Sequence, residues 1–233
     1  MTQTVDDLVA WAARDAHVWA GWLPRDESPE TIAARAKRHT NAIGNFVGAA
    51  AWTISSGAPW DGDLAALVAA HPVRDDEGNV DAAYGYVFSL HAEGTKADVT
   101  MRYMCGGRVA GRRGPNNHLT VEVRPTQTDA FTARVVDDIA ISTIEAWEPA
   151  ALAFRDEETL MTARRGGWSI PVGYRTWIAD SVGHVDAATH GIASQHVAGG
   201  SYLSAPDGWD ADAVVHGMLQ TFSANGLDKI RHT

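Results

Sequence analysis

Leu119-Thr120-Val121-Glu122-Val123-Arg124 alternates apolar and polar residues without a break. Upstream, Val99, Met101 and Tyr103 alternate in the same way with Thr100, Arg102 and Met104. A period of two sends successive side chains to opposite faces of a strand, so each segment carries one apolar and one polar face. The pattern predicts antiparallel strands over 98–104 and 119–124 with one face covered. A third strand is expected over 84–92, with Glu93-Gly94 as a turn and the segment 106–117 as a long connection.

Working outward, the cover must come from helices. Ser28-Pro29-Glu30-Thr31 is a helix start, with Ser28 as N-cap and Pro29 at the first position. Ile32, Ala36, His39, Ile43 and Phe46 then recur at helical spacing, which predicts a helix over 29–48. A second amphipathic helix is expected over 129–147, opened by Asp129, striped by Phe131, Val135, Ile139, Ser142 and Ala146, and ended by Pro149. A third is expected over 210–225, lined by Val214, Met218 and Phe222, with Gly226 just past its end. Shorter helices are expected over 5–14 and 63–70 and from Asp156, and further strands over 17–22, 151–154, 168–178 and 191–197. The fold class is therefore α+β, a mostly antiparallel sheet covered by three or more helices.

The 233 residues suit one larger domain, and 45% hydrophobic against 21% charged content is that of a globular chain. Nineteen Lys and Arg face twenty-nine Asp and Glu, a formal charge of −10. Such a chain repels nucleic acid and anionic membrane, so neither is expected as a partner, whereas a basic protein is admitted. Acidity of this size also simply aids solubility. Cys105 is the only cysteine, so no intramolecular disulfide forms. The first residues lack a signal-peptide pattern, and the longest apolar stretch is too short to span a bilayer. The expected location is cytoplasmic.

No catalytic motif emerges, and the chain is not expected to be an enzyme or to use a cofactor. The run from Gly106 to Gly114 has a phosphate loop's composition but not its Gly-Lys-Ser/Thr ending, so it reads as a glycine-rich basic hairpin loop. Cys105 ends an apolar strand and fits a buried structural thiol. Ser169 lacks the second glycine of a nucleophile elbow. His184, His190 and His196 are spaced by six, with Asp180 and Asp186 nearby, so a small metal-dependent hydrolase is the alternative function. No His-x-x-x-His or Cys-x-x-Cys pair supports that site, and no metal is expected.

Nine tryptophans stand out. Tryptophan is enriched in binding hot spots, but it equally staples helix starts to a core. Trp60 and Trp209 are each flanked by acids. Between positions 60 and 81, Asp61, Asp63, Asp75, Asp76, Glu77 and Asp81 face Arg74 alone. With Trp60 they form the candidate binding site, a loop and short helix suited to steering a basic partner. Asp137, Asp138, Glu145, Glu148, Asp156, Glu157 and Glu158 form a second acidic concentration.

The order of landmarks resembles immunity protein 52 of bacterial polymorphic toxin systems. The shared pattern runs from Trp22-Leu23-Pro24-Arg25-Asp26-Glu27-Ser28, leading into a long helix, to Phe88-Ser89-Leu90 on a strand. It continues through Cys105-Gly106, Pro115-Asn116, Trp147-Glu148-Pro149, Gly167-Trp168 and Gly226-Leu227. Leu23 stands where the family usually has glycine, and the segment before residue 16 looks like an addition. The expected division is thus an N-terminal helical extension over 1–15 and a single immunity-like α+β domain over 16–233. The resemblance implies a protein that binds and neutralises a cognate toxin, often one with a nuclease domain, by occluding its active site.

Overall fold

The computed structural model describes residues 8–13, 16–54, 59–60, 63–127, 130–189 and 191–232. In chain order the elements are β1 (Ala16–Trp22), α1 (Pro29–Val47), β2 (Trp52–Ile54), β3 (Pro59–Trp60), α2 (Leu64–Ala70), β4 (Tyr86–Ala92), β5 (Ala97–Cys105) and β6 (Asn117–Pro125). There follow α3 (Ala133–Trp147), β7 (Ala151–Arg155), α4 (Glu157–Ala163), β8 (Arg175–Ala179), β9 (Ala193–Val197), β10 (Gly200–Ser204) and α5 (Ala211–Ala224). The strands join in one sheet of order β3-β2-β4-β5-β6-β1-β7-β8-β10-β9. Every pairing is antiparallel. The α+β class with an antiparallel sheet is therefore the observed one.

The alternation sets which face is covered. Val99, Met101 and Tyr103 of β5 pair with Val123, Val121 and Leu119 of β6, and all six are buried. Val18 and Ala20 of β1 continue that face. α1 and α3 pack together over it, α1 against β5 and α3 against β7. α1 buries Ile32, Ala36, His39 and Ile43 as the helical spacing requires, while Phe46 is only partly buried. Ser28 caps it, its Oγ accepting from the Thr31 amide at 3.3 Å. It ends at Gly48 in the left-handed region (φ 72°), where a Cβ would run into the Thr95 side chain. α4 and α5 pack together on the opposite side of the sheet's C-terminal half. There Ser201 of β10 accepts from the Val185 amide, and the following segment is tied to the α5 cap residue Asn225.

A buried arginine fastens α3 to the C-terminal strands. Arg175 of β8 makes two hydrogen bonds to Asp207, at 2.8 and 2.9 Å, and one through Nε to Asp137 of α3 at 2.6 Å. The Tyr202 hydroxyl donates to the same Asp137 oxygen at 2.8 Å. Burial pulls the Arg175 pKa down, but the Asp207 hydrogen bonds and the Asp137 charge more than offset it, and the group is held above its ordinary value.

Several boundaries differ from the sequence expectations. Only Arg175–Ala179 of the expected strand 168–178 pairs within the sheet, because Pro171 and Gly173 interrupt the ladder. The helix expected from Asp129 begins at Ala133 with Thr132 as its N-cap; Asp129 lies outside the described residues. Gly200–Ser204 forms β10, a strand not expected from the sequence, which links β8 to β9. Of the helix expected over 5–14, residues 8–13 form a bridge from Leu8 to Thr132 and a turn; the rest lies outside the described residues. That turn is held against the body by Trp11, which stacks on Tyr174 and donates to Asp207 at 2.8 Å.

Candidate functional site

The acidic segment lies at the β3 edge of the sheet. Trp60, expected on a loop, sits instead on β3, opposite Trp52 of β2. A two-residue strand is too short to leave a period in the sequence. Trp60 is half-buried and packs on the core, and its Nε1 is buried with no hydrogen-bond partner. It shares a hollow of about 310 Å³ with Asp63, Glu30 and Lys37, between α1 and α2. Asp63 caps α2, accepting from the Ala65 and Ala66 amides at 2.9 and 3.3 Å. Asp61 lies outside the described residues.

Asp75, Asp76 and Glu77 belong to a small turn closed by the Arg74–Val80 bridge, and Asp81 follows it. Asp75 organises it, accepting from the Glu77 amide at 3.0 Å and the Asn79 amide at 2.8 Å. The Asn79 backbone and side-chain donors hold the Asp75 carboxyl below its ordinary pKa. Asp81 accepts from the Ala83 amide at 3.1 Å. Asp76 and Glu77 are exposed, with their charge directed to solvent. The second acidic concentration is dispersed by folding. Asp137 is bound to Arg175, Glu148 to Arg25 and Arg35, and Asp156 caps α4.

Several landmarks of the family resemblance, Trp22, Arg25, Trp147 and Glu148, meet at the C-terminal end of α3. Trp22 stacks on Trp147 at 5.3 Å. Arg25 donates to the Trp147 carbonyl at 2.9 Å, and Arg35 donates to the Ala146 carbonyl at 3.0 Å. Two guanidinium groups thus serve the open carbonyls at the C-terminus of α3, where cations are favoured. Glu27, its side chain 4% exposed, pairs with Arg35 at 2.8 Å. Asn117 locks the Gly107 loop by accepting from the Gly107 amide and donating to the Gly107 carbonyl and, at 3.2 Å, to the Leu23 carbonyl. The Trp168 indole donates to the Gly111 carbonyl at 2.9 Å. These residues hold the fold together, and none presents reactive chemistry to solvent.

No sequence motif pointed to the other face of β4, β5, β6 and β1. His91, Thr100, Arg102, Thr120, Glu122, His17 and Trp19 share it by register, and none is fully buried. No described helix covers it; α4 stands at its margin. Arg102 and Glu122 pair across it. A half-open cavity of about 650 Å³ lies there, lined by His17, Trp19, Asp98, Glu122, Arg155 and Glu157 among others. The polar half of each alternating strand was the available signal, but alternation says only that a face is wet, not that it is hollow.

His184 and His196 both face Asp180, at 3.1 and 3.7 Å, and each is well exposed. His190 lies outside the described residues. Among the described residues no three His, Cys, Asp or Glu side chains converge as metal ligands. Cys105 is fully buried, and burial pushes its thiol well above the ordinary range, consistent with a structural role. No described helix is long and apolar enough to cross a membrane.

No known family matches the chain, and no curated protein does. Among solved structures it is similar to the Pseudomonas aeruginosa T6SS protein PA0821, with a TM-score of 0.50 over 91% of this chain and 76% of that one. At 8% identity the two share a fold.

Proposed function

We propose that this chain is an immunity protein, which binds a cognate bacterial toxin of the nuclease type and occludes its active site, and which catalyses no reaction itself. The observation that carries this is the fold shared with a T6SS protein over nine-tenths of the chain. It joins the landmark order that resembles immunity protein 52, of which Trp22, Arg25, Glu27, Trp147 and Glu148 meet around the end of α3. The formal charge of −10 suits a partner that itself binds nucleic acid. The turn carrying Asp76 and Glu77 is the docking surface, its exposed carboxylates steering the basic toxin, with Trp60 and Asp63 at the neighbouring edge. Co-expression with the toxin encoded beside it tests the proposal. Cells survive and the purified pair forms a stable inhibited complex if it is right. Unrelieved toxicity with both proteins folded sinks it.

A further inference from the structure

Among the described residues the fold buries two arginines, and they are treated differently. Arg175 meets two carboxylates. Arg155, at the end of β7, is 6% exposed, yet among the described residues no carboxylate lies within ion-pair distance of it. Its Nε donates to His17 Nε2 at 3.3 Å and a terminal nitrogen donates to the Val172 carbonyl at 3.4 Å. Both partners are neutral acceptors. Accepting that bond requires His17 Nε2 to be unprotonated, so the imidazole adds no positive charge beside the guanidinium. A guanidinium taken out of water without a counter-charge is costly, and burial lowers its pKa to about 10 with Glu157 offsetting only part of the effect.

Arg155 and His17 lie in the wall of the half-open cavity on the uncovered sheet face. Its volume, about 650 Å³, is that of a small-molecule site. Trp19 forms a second wall. Its indole lies over Gly21, where an added Cβ would come within 2.4 Å of the ring. Leu160 of α4 adds apolar surface. We infer that this cavity binds a small monocarboxylate, its carboxylate paired with Arg155 and its apolar body lying along Trp19 and Leu160. A monoanion is favoured over phosphate because Asp98, Glu122 and Glu157 share the lining and repel a second negative charge. The site stands whether or not the chain neutralises a toxin.

Arginine Nε–H resonances of the full ¹⁵N-labelled chain give a direct test. The Arg155 signal is identified by its loss in Arg155→Lys, or by its displacement in His17→Gln should the first variant not fold. Sodium benzoate, titrated against sodium chloride at matched ionic strength, should shift that signal saturably with a midpoint near or below ~1 mM. Glu157→Gln, which keeps the shape of a lining side chain, should tighten binding about twofold or more by removing a repelling charge. Arg155→Lys should weaken it about tenfold, read from neighbouring His17 and Trp19 signals, because a point charge replaces a two-pronged donor. Absence of a saturable shift, shifts confined to other parts of the chain, or tighter binding of inorganic phosphate than of benzoate would each overturn the assignment.

Discussion

His39 is the group through which acid reaches the core. Its ring is completely buried between α1, α3 and β5. Trp147 Nε1 donates to Nδ1 at 3.3 Å, and Nε2 lies 3.0 Å from Thr143 Oγ1, which itself donates to the Ile139 carbonyl. An indole nitrogen only donates, so Nδ1 must carry a lone pair and the proton sits on Nε2. A second proton would have to enter at Nδ1, against the indole N–H and without water. Burial accordingly lowers the pKa from 6.5 to about 3. The unfolded chain takes up this proton near 6.5 and the folded chain does not until about 3. Stability is therefore fully present above that window and is lost as pH falls through it. Going from about pH 7.5 to about pH 5 should remove about 2 kcal/mol through this one ring, at ~1.4 kcal/mol per unit below the unfolded value. Urea unfolding of the parent chain and of His39→Gln at the two pH values isolates the effect. Gln can still donate to Thr143 and accept from Trp147, but it does not titrate. The stability gap between the two proteins should shrink by about 2 kcal/mol at the lower pH. A gap that is the same at both pH values would falsify the neutral, proton-excluding assignment.

Other outcomes follow from the same geometry. Replacing Asp76 and Glu77 together by Ser, while keeping the turn-forming Asp75, should slow association with the toxin severalfold at low salt and flatten its salt dependence; unchanged stopped-flow rates would move the docking surface elsewhere. Arg35→Ala should cost about 1–3 kcal/mol in denaturant unfolding, because it leaves the buried Glu27 carboxylate with only the more distant Arg25 guanidinium, at 3.8 Å. Glu27→Gln combined with Arg35→Met should cost clearly less, and equal costs would show that Glu27 is solvated after all. Purified protein should carry far less than one equivalent of zinc or iron by elemental analysis; a stoichiometric metal lost in His196→Ala would favour the hydrolase alternative.

Where a long element buries one face, the residues alone were sufficient to find it. α1 was legible because Ile32, Ala36, His39 and Ile43 recur at the helical period and Ser28-Pro29 marks its start. β5 and β6 were legible because nine-residue strands leave four or five clean alternations. β2 and β3, with three and two residues, leave none, and their pairing depends on neighbours distant in sequence. Residues 168–174 failed for another reason. Trp168, Ile170 and Val172 alternate and are buried as a strand's would be. Yet Pro171 and Gly173 remove ladder contacts, so the burial is real and the strand is not.

The site was harder to see, because sequence shows charge and not what charge is used for. Clustering in the chain drew attention to Asp63, Asp75 and Asp81, and folding employs all three to accept backbone amides at a helix start or a turn. What remains directed outward from that segment is the pair Asp76 and Glu77. Arg155 shows the converse. In the sequence it is one arginine beside three acids, Asp156, Glu157 and Glu158, and looks neutralised. In the fold Asp156 turns away to accept the Thr159 amide at 2.9 Å, and Glu157 stands in the first turn of α4 at the cavity, beyond ion-pair distance of Arg155. Arg155 points back across β1 to His17. Adjacent residues at the junction of a strand and a helix point in divergent directions, so neighbours in sequence are poor predictors of ion pairs there. The same divergence that gives α4 its acidic first turn leaves a buried cation facing the broad cavity on the uncovered sheet face.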